Sequence, residues 1–175
     1  MEIEELKQLL SLSWKKETCT PGLRNEWNEE NPSLGQCAIT ALIVNDIFGG
    51  KIMRCIASTG SHYYNLIDDQ MVDLTVEQFL GEIPQYENGE ERTREYLLSN
   101  EDTKNRYLLL NRNLQSTLEE EKAIRQNRYQ MCVNQRTQFM SEEVSKEFRD
   151  LLRLCSNQLY FDEEDKLVKQ KKKKL

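Results

Sequence analysis

The sequence predicts an α+β domain over residues 1–113, followed by a charged, mostly helical extension over 114–175. Three observations carry that reading. A largely apolar run, Cys37-Ala38-Ile39-Thr40-Ala41-Leu42-Ile43-Val44, has the character of a buried helix and is closed by Phe48-Gly49-Gly50. Three short segments between Lys51 and Leu74, rich in branched and aromatic residues and separated by turn signals, read as antiparallel strands. Beyond Asn113 the apolar positions thin out and charge takes over.

A chain of 175 residues is long enough for one well-buried domain with a small appendage. Hydrophobic residues make up 38% against 31% charged, so the excess charge must be concentrated, and it lies in the second half. The net charge of -6 argues against a general nucleic-acid binder. The start, Met1-Glu2-Ile3-Glu4-Glu5, lacks the basic-then-apolar layout of a signal peptide, and no apolar run approaches the ~20 residues of a membrane span. Cys19, Cys37, Cys55, Cys132 and Cys155 are odd in number and follow no framework spacing, which predicts reduced thiols and a cytoplasmic protein.

Ile3, Leu6, Leu9 and Leu10 have the spacing of an amphipathic helix over residues 2–12. The stretch from Ser13 to Ser33 is irregular, and Trp14 and Trp27 anchor it to the core. Asn31-Pro32-Ser33 supplies turn and cap chemistry before the cysteine helix. The predicted strands are 51–58, 61–67 and 71–74, with turns at Thr59-Gly60 and Asp68-Asp69-Gln70. Thr75-Val76-Glu77-Gln78 has the form of a capping box and predicts a short helix, and 81–91 reads as a polar loop. Helices follow around Tyr96-Leu97-Leu98 and Tyr107 to Leu114, with a break at Ser99-Asn100. Further on, 119–130 reads as a solvated helix. A helix from Ser141 to Leu154 and a small hairpin through Leu159-Tyr160-Phe161 and Leu167-Val168 precede a basic tail, Lys171 to Lys174.

The candidate chemistry rests on Cys37, His62 and Asp73. A thiol in the first turn of a helix faces the positive end of the dipole and unpaired backbone N–H groups, which favours the thiolate. His62 is the chain's single histidine. Across the Asp68–Gln70 turn it falls within one or two residues of register with Asp73, so the two can share a sheet face, with the cysteine helix packed across it. A nucleophile, a base and an orienting carboxylate are what acyl transfer by a cysteine needs. The Cys37 backbone N–H is the first candidate oxyanion donor, and Gln36 or the Trp14 indole is a candidate second. Each residue also has a plain structural use: a buried small hydrophobe, a hydrogen-bonded core histidine, an acidic group before a helix N-terminus. Cys19, in Thr18-Cys19-Thr20-Pro21, is the weaker competing nucleophile because no helix dipole stands behind it.

The run Ser61-His62-Tyr63-Tyr64-Asn65 … Asp69 … Val72-Asp73-Leu74-Thr75 resembles the strand pair of papain-like and transglutaminase-like proteins. A closer resemblance is to the small bacterial YunG-like family. It is carried by Trp14, Thr18-Cys19, Trp27, Asn31-Pro32, Gly35-Gln36-Cys37-Ala38, Thr40-Ala41-Leu42, Asp46, Phe48-Gly49-Gly50, His62-Tyr63, Asp73-Leu74-Thr75 and Gln78-Phe79. Tyr96-Leu97-Leu98-Ser99 and Arg106-Tyr107 continue it, so it covers residues 10–113. The first resemblance implies a papain-like or transglutaminase-like core; the second implies no particular activity.

The extension holds Cys132-Val-Asn-Gln135 and Cys155-Ser-Asn-Gln158, a form that has half the ligands of a zinc knuckle. Glutamine is not a normal zinc ligand, so no metal is expected. The leading expectation is a cysteine hydrolase or acyl-transfer enzyme, free of cofactors, acting on an amide, isopeptide or related acyl substrate through a Cys37 thioester. The alternative is a catalytically idle module that binds a partner protein or peptide. Nucleic-acid binding through the lysine tail is a third, and it predicts steep salt dependence.

Overall fold

The computed structural model describes residues 1–137 and Lys146. The chain divides into two compact units, one over Glu2–Glu119 and a second holding Met1 and Glu120–Leu175. All residues of the candidate site lie in the first unit. The expected helix 141–154, the hairpin and the lysine tail lie outside the described residues, as do Cys155 and the side chain of Cys132.

The first helix, α1 (Ile3–Ser13), turns Leu6, Leu9, Leu10 and Ser13 inward at helical spacing. Its leucines join Trp14, Ile39, Ile43, Val44, Leu74, Leu110 and Leu114 in the main core cluster. The segment from 14 to 36 has no long element, yet it is tied down by its own hydrogen bonds. The Thr18 hydroxyl bonds the backbone of Lys15, the Trp27 indole donates to the Pro32 carbonyl, and Arg106 reaches the Thr18 carbonyl.

The cysteine-bearing helix, α2 (Cys37–Phe48), buries every residue from Ile39 to Val44. Its Asn31-Pro32-Ser33 approach lies too early to cap it. Gln36 is the N-cap and makes no side-chain cap bond. The helix stops at Gly49, and Gly50 has φ +75°, where an added Cβ would stand 2.2 Å from the Leu66 carbonyl oxygen. Only glycine fits that crossing into the sheet.

Four antiparallel strands form one sheet in the order β3-β2-β1-β4. They are β1 (Lys51–Ala57), β2 (Gly60–Ile67), β3 (Gln70–Val72) and β4 (Glu90–Arg92). The turn between β2 and β3 places Asp68 and Asp69 both at positive φ, as a two-residue hairpin of matching twist requires. β4 is an edge strand where the sequence predicts a polar loop, a charged triplet paired to Ile52, Met53 and Arg54. The predicted capping box forms a 3-10 turn (Val76–Phe79) without a Thr75 side-chain cap, because the Thr75 hydroxyl donates to Asp73 instead.

Two helices close the unit. α3 (Arg94–Leu98) is capped by the Thr93 hydroxyl, which accepts from Tyr96 N–H. α4 (Glu101–Thr137) starts where Asn100 Oδ1 accepts from Thr103 N–H, and it runs unbroken past residue 113. No described helix is long and apolar enough to cross a membrane.

Candidate functional site

The site is assembled around His62. Strand alternation puts His62 on the face of β2 that also carries Tyr64, opposite Cys55 on β1. In the register of β2 and β3, Asn65 faces Val72, so Asp73, one residue past the strand, comes level with Tyr64 and diagonal to His62. The two side chains meet there. His62 Nε2 stands 2.5 Å from Asp73 Oδ2, with the side chains only 1% and 4% exposed.

The carboxylate of Asp73 is held from every side. Oδ2 also accepts the Tyr86 hydroxyl at 2.7 Å, and Oδ1 accepts the Thr75 N–H and hydroxyl at 3.0 and 3.2 Å. Burial raises its pKa, but the His62 hydrogen bond and charge, then Tyr86 and Thr75, outweigh that and hold it below the ordinary carboxylate value. The same contact pushes the Tyr86 hydroxyl the other way, up, with desolvation the largest cause.

Burial pulls His62 toward the neutral ring. The Asp73 hydrogen bond first and the Cys37 thiol beside the ring second, with the negative charge of both, prevail and push its pKa up to about 9. Phe79 packs edge-on against the imidazole at 4.8 Å between ring centroids, and Tyr86 at 6.4 Å. With Nε2 committed to Asp73, the ring turns Nδ1 to its other side, where it is buried and has no hydrogen-bond partner. A buried polar nitrogen left this way is costly, and its orientation is fixed by the Asp73 bond and the edge-on rings.

Cys37 approaches from the other side of the strand. The helix α2 is fastened to the opposite face of β2, where Asn65 Nδ2 donates to the Ala41 carbonyl. The expectation that the helix packs across the His62 face is therefore corrected, and Asn65 is the physical reason. Cys37 Sγ lies 4.0 Å from the Ser61 carbonyl oxygen. β3 pairs only with Asn65 to Ile67, so this part of β2 has no strand neighbour on that side. The thiol comes to the imidazole past that open edge.

Of the described cysteines Cys37 alone is partly exposed. Cys19 and Cys55 are buried, and desolvation pushes each thiol up to about 11. This removes the chemical case for Cys19 as nucleophile. Its own packing partner is Gly35, where an added Cβ would come within 2.7 Å of Cys19 Sγ. Gly35 N–H is held by Gln78 Oε1, which ties the approach to Cys37 to the turn after Asp73.

The two candidate second oxyanion donors each hold a hydrogen bond of their own. Trp14 is in the main core, and its indole N–H donates to Thr40 Oγ1 at 3.1 Å. Gln36 is fully buried, with Nε2 donating to the Lys15 carbonyl and Oε1 left without a partner. The start of α2 is uncapped: its first helical hydrogen bond runs from Thr40 N–H to Gln36 O, so the amides of Cys37, Ala38 and Ile39 precede it.

Tyr86, Thr75 and Phe79 join the site; Thr75 and Phe79 belong to the stretches that carry the family resemblance, and no motif announces Tyr86. Thr75 and Phe79 follow Asp73 closely enough for local turn chemistry to have suggested them. Tyr86 sits in a polar stretch with no periodic signal.

Fold and site define a small α+β protein in which a partly exposed cysteine, a buried histidine and a buried aspartate converge at the open edge of an antiparallel sheet. Residues 2–119 match the family described as YunG protein, and the chain belongs to that family. A relative from Bacillus subtilis (strain 168), "Uncharacterized protein YunG", is 35% identical over 100 residues, which is 57% of this chain and 83% of the relative. No solved structure matches the chain.

Proposed function

We propose that this protein is a cysteine hydrolase or acyl-transfer enzyme, with Cys37 as nucleophile, His62 as general base and acid, and Asp73 as the group that orients His62. The observation that carries the reading is the His62 ring, anchored by Nε2 on Asp73 with a buried, unpartnered Nδ1 on the side from which Cys37 acts on it. Most buried side-chain nitrogens have a hydrogen-bond partner, and this one has none.

In this reading the proton of the pair already rests on Nδ1, as the raised His62 pKa favours, and Cys37 Sγ bonds as a thiolate to the acyl carbon of an amide, isopeptide or ester. The oxyanion forms where the uncapped α2 amides point, the Cys37 N–H first among them. Collapse breaks the bond to the leaving group, which takes the proton from Nδ1 and leaves a thioester on Cys37. Water then adds to the thioester while giving a proton to Nδ1, where it stays as the acid departs and the thiolate is restored. An amine in place of water makes the step a transfer. Asp73 keeps its proton count throughout and stabilises the imidazolium.

The order of elements supports a papain-like or transglutaminase-like core: a cysteine at a helix start, then a strand with histidine, then a hairpin return to aspartate. A cytoplasmic setting suits the chemistry, since Cys19, Cys37 and Cys55 are free thiols. Incubation with a small activated ester, read by peptide mass spectrometry, tests the reading. An acyl adduct is expected on Cys37, turning over slowly, absent in Cys37→Ala and at least about tenfold slower to form in His62→Ala. Equal acylation of Cys37 with and without His62 contradicts it.

A further inference from the structure

On the α2 side of β2 lies an open cavity of about 390 Å³ lined by Ala38, Tyr63, Tyr96, Leu97, Ser99, Asn100 and Thr103. Two of these residues neighbour the thiol along the backbone, and the charge of Cys37 acts on the Tyr63 hydroxyl. Ala38 follows Cys37 on the helix. Tyr63 is the next residue, on the same face of β2, after Ser61, whose carbonyl Cys37 Sγ touches. Two residues of strand span roughly 7 Å, the length of one amino-acid unit of substrate with its side chain.

The lining has a definite chemistry. Its rings and aliphatic groups, from Tyr63, Tyr96, Leu97 and Ala38, are flat or small, and its polar groups are hydroxyls and one amide. No lining residue is ionic. The guanidiniums that touch the lining, Arg92 over the Tyr96 ring and Arg106 on the Thr103 hydroxyl, are paired with Glu90 and Asp102. Asn100 Oδ1 is used by Thr103 N–H and the Ser99 hydroxyl by the Tyr96 carbonyl, so the Asn100 amide nitrogen and the tyrosine hydroxyls are left for an occupant. A charged side chain placed there loses water and gains no counter-ion. An aromatic ring or a carboxamide fills it without that cost.

We infer that this cavity is the side-chain pocket of the acyl substrate, and that it selects an uncharged, flat side chain, aromatic or carboxamide, on the residue whose carbonyl Cys37 attacks. The inference rests on the function proposed above and names its substrate class.

The test uses the whole chain and N-acetylaminoacyl chloromethyl ketones that differ only in side chain, with the rate of Cys37 labelling read by intact mass. The phenylalanine and glutamine reagents are expected to react about tenfold or more faster than the glutamate and lysine reagents. Asn100→Asp keeps the helix cap, because aspartate caps as well as asparagine, and adds one negative charge to the pocket. It is expected to raise the lysine-to-phenylalanine rate ratio by about tenfold. Tyr96→Ala, at an exposed position, is expected to bring the phenylalanine rate down to that of the glycine reagent. Rates indifferent to side chain, or a ratio unmoved by Asn100→Asp, overturn the pocket. Iodoacetamide, which has no side chain to place, separates the two readings. If its reaction with Cys37 depends on His62 while the ketones show no selectivity, the pocket alone falls. If even iodoacetamide ignores His62, the proposed function falls and the pocket with it.

Discussion

His62 Nε2 and Asp73 Oδ2 lie 2.5 Å apart at the buried end of a hairpin, and that contact fixes which nitrogen of the chain's single histidine faces the thiol. Removing the carboxylate charge leaves burial opposed by Cys37 alone. In Asp73→Asn the His62 pKa is expected to fall well below 9, followed by the one histidine Cε1 proton signal in an NMR titration of untagged protein. Because a buried partner is then left unpaired, a loss of about 3 kcal/mol in folding stability is expected as well.

The same pair sets the response of stability to pH. The folded pKa of His62, about 9, is above its ordinary 6.5, so its contribution is complete below 6.5 and is lost as pH rises through 9. Asp73 is held below its ordinary 3.8, so its contribution is complete above 3.8 and is lost as pH falls through its lowered folded value. Between pH 6.5 and 9 the folded state holds one proton more than the unfolded state, worth about 1.4 kcal/mol per pH unit. Chemical denaturation across that window is expected to show the decline in wild type and to lose most of it in Asp73→Asn.

Tyr86 acts on His62 through Asp73, so it is a positioning residue. Tyr86→Phe removes the donor to Asp73 Oδ2 and leaves the ring packing against Tyr64 intact. With its charge less dispersed, Asp73 holds the imidazolium more tightly. The His62 titration is expected to move upward, opposite to Asp73→Asn, with a stability loss of about 1 kcal/mol. A downward shift contradicts the role given to Tyr86.

Much of this architecture was legible in the residues themselves. The apolar run after Cys37 continues through Asn45-Asp46-Ile47-Phe48 to a helical length, and Gly49-Gly50 marks its end. Asp68-Asp69 between two branched, aromatic runs defines the hairpin that joins His62 to Asp73. The side of the sheet that receives α2 was not legible. It depends on Asn65 reaching the Ala41 carbonyl, a contact between residues far apart in sequence. β4 was hidden because Glu90, Glu91 and Arg92 pair through their backbone at an edge, where side chains give no alternation. Tyr86 was hidden for a related reason, since it reaches Asp73 from a loop whose path only the folded sheet sets.

Trp14 illustrates the limit of reading a polar tip on an aromatic residue. Its N–H is satisfied by Thr40 in the core. Trp14→Phe is therefore expected to cost about 1 kcal/mol or more of stability, seen in denaturant unfolding, while Cys37 alkylation changes less than about twofold. A tenfold loss of reactivity with little loss of stability would return Trp14 to the oxyanion site.

The most direct test of the central claim is site-resolved alkylation of the native protein with iodoacetamide from pH 5 to 9, beside His62→Ala. Cys37 is expected to react well ahead of Cys19 and Cys55 from about pH 6, and His62→Ala is expected to slow it about tenfold or more there. If Cys37 is inert, or reacts at the same rate with and without His62 at every pH, the three residues form a packed sheet end and the enzyme reading is contradicted.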